Sequence, residues 1–123
     1  EVEGALIEVA KKENIEITEF TVAPQVNPEK DTLPYHQWLI EFVNEPKDLN
    51  HFALQVDYAL QSRNIYYKDL ITGKILQPLV ITSLKKDSFI NYMRTEGKLG
   101  GQNKVPRLAN DRVIADKLIE YIK

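Results

Sequence analysis

Apolar positions along this chain recur at two periods, and the alternation between them lays out the fold. Val2, Leu6, Val9 and Ala10 fall on one helical stripe, predicting an amphipathic helix over residues 2–13 that stops at Asn14. The stretch from Ile15 to Val22 is β-branched and aromatic, with Ile15 and Ile17 on one parity and Phe20 and Val22 on the other. That change of face predicts a strand with a bulge. Pro24, Asn27, Pro28 and Asp31 mark a turn. From Tyr35 to Val43, Trp38, Ile40 and Phe42 alternate with Gln37, Leu39 and Glu41, which predicts a central strand with large apolar groups on both faces.

Asp48 is placed to cap the next helix, whose predicted stripe is Leu49, Phe52, Ala53, Val56 and Leu60. Asn64 to Ile71 continues as a second short helix ended by Gly73. Leu76 to Leu84 is a third strand, and Pro78 near its start points to an edge position. Asp87 or Ser88 caps a helix through Phe89, Ile90 and Met93 to Glu96. A last helix from Asn110 is expected to bury Val113, Ile114, Leu118 and Ile122. The order is α-β-β-α-β-α-α, an α+β domain with a small three-stranded mixed sheet covered by helices. The first two strands should pair antiparallel and the third should run parallel to its neighbour.

At 123 residues this is one domain, 1–123, large enough to fold without staples. No cysteine is present, which removes disulfides and thiol nucleophiles and argues against structural zinc. The apolar runs of this sequence are far shorter than the roughly 20 residues a bilayer span requires, and the expected location is the cytoplasm. Sixteen basic against eighteen acidic side chains leave a net charge of −2, without the basic excess a nucleic-acid binder needs. The region from Lys98 to Arg112 is a local exception, with four cations against Asp111 alone.

Chemistry concentrates in that region. Gly97-Lys98-Leu99-Gly100-Gly101-Gln102-Asn103-Lys104-Val105-Pro106-Arg107 combines glycines, two amides and three cations between two helices. Glycines let backbone N–H groups turn toward an anion, and lysine adds a movable charge, so the loop suits a phosphate or carboxylate. The same composition also describes a solvated turn. Spacing excludes a Walker-type phosphate loop. Gly97 to Gly100 matches the bare Gly-x-x-Gly of KH domains, which leaves an RNA-binding or protein-interaction module as the alternative. His36 and His51 have no second histidine at ligand spacing and are expected at the surface. No metal-ligand set and no Ser–His–Asp arrangement is visible. Glu41, an acid inside the best strand, is expected at a solvated edge rather than acting as a base. Trp38, Phe42 and Phe52 are expected in the core.

Gly100-Gly101-Gln102-Asn103-Lys104-Val105-Pro106-Arg107 resembles the C-terminal signature of the auxin-responsive Gretchen Hagen family of acyl-acid amido synthetases, its bacterial branch in particular. Phe20 to Pro24, Tyr35 to Phe42, Asn64-Ile65-Tyr66-Tyr67, Leu76 to Leu79 and Phe89 resemble further family segments in the same order. One departure is Ile71, where the family often carries arginine.

The resemblance implies the C-terminal lid of a larger adenylate-forming enzyme, with Glu1 lying inside a longer protein. The implied partner is an N-terminal adenylation domain of the same chain, with ATP and Mg2+ used by that parent and neither bound by this domain alone. A carboxylic acid would be adenylated and its acyl group passed to an amine such as an amino acid; no nucleic acid or membrane partner is implied, and auxin is not singled out as a substrate. Lys104 is implied as the catalytic cation, supported by Gln102 and Asn103, with Arg107 either on the nucleotide or anchoring the loop. Gly100, Gly101, Glu41 and Tyr67 are secondary candidates, the last two more structural. The isolated domain is expected to fold and to be inactive.

Overall fold

The Trp38 strand carries apolar groups on both faces because both faces are covered. In a computed structural model, which describes residues 1–26, 29, 31–98 and 104–123, β1 (Ile17–Gln25), β2 (Tyr35–Phe42) and β3 (Val80–Leu84) form one sheet in the order β1-β2-β3. β2 is central, antiparallel to β1 and parallel to β3. Trp38 and Ile40 pack with Phe20, Val22 and Ile81 against α1 (Val2–Lys12), α2 (Leu49–Arg63) and Tyr67 of α3 (Ile65–Thr72). Leu39, Ala23 and Leu84 pack on the opposite face against α4 (Ser88–Thr95) and α5 (Val113–Leu118). The strand's period of two thus feeds two cores.

Local chemistry sets most boundaries. Asn14 adopts a left-handed φ of 57° directly after α1, a conformation asparagine tolerates, and the chain reverses into β1. Asp48 accepts the His51 N–H at 3.1 Å and Asn64 accepts the Tyr67 N–H at 3.0 Å, each side chain satisfying a donor that a helix start leaves open. Asn64 also ends α2, so one residue separates the two helices. The register shift between Ile17 and Glu19 is the expected bulge, and it brings Ile17 and Phe20 onto the same core.

Both outer edges of the sheet are blunted. On β1, Val22 donates to the Arg107 carbonyl at 3.0 Å and accepts from the Ala109 N–H at 2.8 Å. The Phe20 N–H is taken by the Glu19 carboxylate, and the Pro24 carbonyl by Arg112. On β3, Leu84 bridges to Ile122, and Lys85 donates to the Tyr121 carbonyl.

Four expectations are corrected. Pro24 is not in the turn but inside β1, paired with His36; an edge strand tolerates it because its missing donor is not needed by the ladder. The third strand begins at Val80, after Pro78 rather than around it. The last helix begins at Val113 and buries Ala115 and Leu118, while Val113 and Ile122 are exposed and Ile114 is half-buried; the chain tightens into a 3-10 turn, Ile119–Tyr121. Asp87 stands at the start of α4 but its side chain caps nothing. Asn27 and Pro28 of the expected turn lie outside the described residues. Among those described, no helix is long and apolar enough to cross a membrane.

Candidate functional site

The loop between α4 and α5 is held at both stems. Val105 is buried in the α4–α5 core. The Pro106 carbonyl accepts the Thr21 hydroxyl at 2.6 Å, and Arg107 to Ala109 run beside β1. The Arg107 guanidinium bonds Glu3 of α1 and, at 2.8 Å, Glu19 of β1, while lying 5.1 Å above the Phe20 ring. Its side chain is 41% exposed, so each ion pair contributes roughly 0–1 kcal/mol and its chief effect is orientation. On the other stem, Gly97 closes α4 with φ 69°, which glycine reaches without a Cβ clash, and Lys98 donates to the Met93 carbonyl at 2.8 Å.

Lys104 emerges exposed between these stems. With Lys98 it lines a groove of about 290 Å³ whose walls include Phe89, Met93, Glu19 and Glu41. No ion pair of Lys104 is present among the described residues. Gly100, Gly101, Gln102 and Asn103 lie outside the described residues.

Glu41 is not solvated. It is 3% exposed, and its two carboxylate oxygens accept the Asp87 N–H at 2.8 Å and the Phe89 N–H at 3.1 Å. A strand carboxylate therefore caps α4, satisfying donors and meeting the positive end of the helix dipole. Both oxygens are engaged by backbone, an arrangement suited to holding a helix.

Tyr67 belongs to a second cluster. Its hydroxyl donates to Asp57, a fully buried acid of α2 that also accepts the Leu79 N–H at 3.1 Å and Gln61 Nε2 at 2.7 Å. Burial first, and then this hydrogen bond, pushes the Tyr67 hydroxyl far above its ordinary 10.0, so it stays protonated. Sequence reasoning missed Asp57, although an acid between Val56 and Leu60 on a core stripe is itself a signal of a buried network. Tyr67 and Arg107 line one groove with His36 and Asn64, whereas Lys104 and Glu41 line the other. Ile71, the departure from the family pattern, packs against the α1–α2 core.

His36 is half-buried rather than on the surface, its ring stacked on Tyr67 at 5.9 Å. Burial lowers its pKa below 6.5, with Asp57 pulling weakly the other way. The unfolded chain then takes up the proton more readily than the folded one. The stability contributed by neutral His36 is complete above the unfolded value of 6.5 and is lost as pH falls from there toward the folded value. Between about pH 7.5 and 5.5, urea midpoints should fall further in the wild type than in His36→Asn. Equal falls would show that His36 carries no linked proton.

Among the described residues, no group of three His, Asp or Glu side chains is placed to hold a metal ion. The arrangement offers an exposed cation at a groove edge, followed by a stem bonded to the sheet, which is suited to meeting an anion presented from outside the domain.

A family model described as the GH3 family C-terminal domain matches residues 1–113. Among solved structures, a GH3.15 acyl acid amido synthetase matches 99% of this chain with a TM-score of 0.71 and 16% identity, over 22% of its own length. AtGH3.15 acyl acid amido synthetase in complex with 2,4-DB matches 99% of this chain with a TM-score of 0.75 and 16% identity, over 23% of its length. At that identity the likeness is one of fold, and this chain spans under a quarter of the proteins it matches. No curated protein matches. With its family match extending from Glu1 through Val113, and so from α1 into the start of α5, the chain belongs to the GH3 family as its C-terminal domain.

Proposed function

We propose that this domain is the lid of a cytoplasmic, ATP-dependent acyl-acid amido synthetase of the bacterial branch. It would work with an N-terminal domain of the same chain, which binds ATP and a carboxylic acid. The supporting observation is Lys104, exposed at a groove edge beside a stem, Val105 to Ala109, that packs in the core and is bonded to the sheet. Family membership and the names of the two solved relatives, both acyl acid amido synthetases, support the same reading.

The proposed chemistry is adenylation followed by amide formation. A carboxylate oxygen of the acid attacks the α-phosphorus of ATP and pyrophosphate leaves. An amine, such as that of an amino acid, then attacks the acyl carbon and AMP leaves. Charge grows on the transferring phosphate in the first step, and closure of the lid would bring the Lys104 ammonium to it while excluding water. A preorganised charge in a water-poor site contributes about 3–4 kcal/mol to such a transition state. Gln102 and Asn103, with Gly100 and Gly101, would supply amide and backbone donors to the nucleotide. Magnesium would arrive with the ATP phosphates, neutralising part of their charge.

The domain alone should catalyse neither step. ATP–pyrophosphate exchange is expected in the parent protein with its acyl acid and absent from residues 1–123 alone. A parent lacking this domain should lose amide formation by about 100-fold or more. Full amide formation without the domain would contradict the proposal.

A further inference from the structure

Glu19 and Glu41 are register partners on β1 and β2, so their side chains share one face of the sheet and one groove. Like charges directly opposite one another repel. Glu41 is compensated by amides that open α4, and Glu19 by Arg107 on the stem that follows Lys104. Glu41 holds the start of α4 through the Asp87 and Phe89 amides, and α4 packs Phe89 and Tyr92 in one core with Val105, the residue after Lys104. Glu19 holds Arg107, three residues beyond Lys104. Arg107 reaches at the same time to Glu3, so α1, β1 and the loop meet at one guanidinium.

We propose that this cross-strand pair of carboxylates positions Lys104, Glu41 acting through α4 and Glu19 through Arg107. Arg107 is then a positioning residue rather than a nucleotide ligand. The proposal rests on the lid reading for its catalytic consequence, though not for the clasp itself. The planar fork of arginine is what the site requires, because one group must serve Glu3 and Glu19 while covering the Phe20 ring. Loss of Arg107 would leave Glu19 uncompensated opposite Glu41, and the repulsion would add to the lost contact.

Two measurements test this. In the 123-residue chain, Arg107→Gln is expected to speed hydrogen exchange of the Val22 and Ala109 amides, which join β1 to the loop stem, by about tenfold, with the β2 amides unchanged. Adding Glu19→Gln should recover part of that protection, since the repulsion disappears while the lost arginine contact does not return. In the parent protein, Arg107→Lys keeps the charge but not the fork. It should lower kcat for adenylation about tenfold and leave KM for ATP within about twofold. Unchanged exchange at Val22 and Ala109 overturns the clasp, and a raised KM with kcat intact overturns positioning in favour of a nucleotide contact. The exchange readout involves no ATP chemistry, so it stands apart from Lys104→Ala in the parent, which tests the lid reading itself.

Discussion

Glu41→Ala is expected to destabilise the chain by about 2–4 kcal/mol, from one buried and one part-buried amide losing their acceptor and a cavity opening beneath α4. Glu41 stands on the central strand, and its oxygens are the partners of the Asp87 and Phe89 N–H groups. Water cannot readily replace the acceptor of the Phe89 N–H, because Phe89 is 5% exposed and packs with Leu39, Leu84 and Leu118. Asp87 holds a left-handed φ of 67° at that junction, so the chain entering α4 has few alternative conformations. Glu41→Gln keeps the shape and one acceptor but turns an amide N–H toward a backbone N–H, and about half of the loss should remain. Urea unfolding followed by circular dichroism would measure both. For a domain of this size the alanine variant corresponds to a fall of roughly 8–15 °C in Tm. A loss below about 0.5 kcal/mol would show that α4 does not depend on the strand carboxylate.

Glu41 also marks where sequence reasoning stops. The first four helices, the bulge and the Asp48 cap were legible because their causes lie within a few residues of their effects: Asp48 reaches only three residues forward to the His51 amide. The two-faced β2 was legible because Trp38, Leu39 and Ile40 are all large and apolar. Glu41 looked like a solvated acid because the amides it serves lie 46 and 48 residues away. The Arg107 to Glu3 contact spans 104 residues and leaves no local trace. Pro24 reads as a turn residue in isolation, and only the placement of β1 at the sheet edge makes it a strand residue. In the last helix, Ile122 stands four residues beyond Leu118, yet tightening into a 3-10 turn after Leu118 leaves it outside the buried face, and Val113, the first helical residue, is exposed while Ala115 is buried.

The candidate site was legible as chemistry, not as geometry. Its glycines, amides and lysines suit an anion by composition, as they also suit a solvated turn, and the order of family-like segments suggested the family to which the chain belongs. What pattern could not supply is the separation of its residues into two places. Lys104 and Glu41 share a groove with α4, while Tyr67 and Arg107 share another with His36. Tyr67 is tied to Asp57 and Glu41 to α4, so both candidates hold the framework around the loop.

Lys104→Ala in the parent protein, followed in a single turnover from ATP and the acyl acid to acyl-adenylate, tests the central claim most directly. Loss of one cation that acts only as phosphate charge develops should slow this step by about 100- to 1,000-fold, with ATP affinity changed much less. Stability should stay within about 0.5 kcal/mol of wild type, because the side chain is exposed. Adenylate formation at the wild-type rate in a stably folded Lys104→Ala protein would contradict a lid that delivers this lysine to the nucleotide.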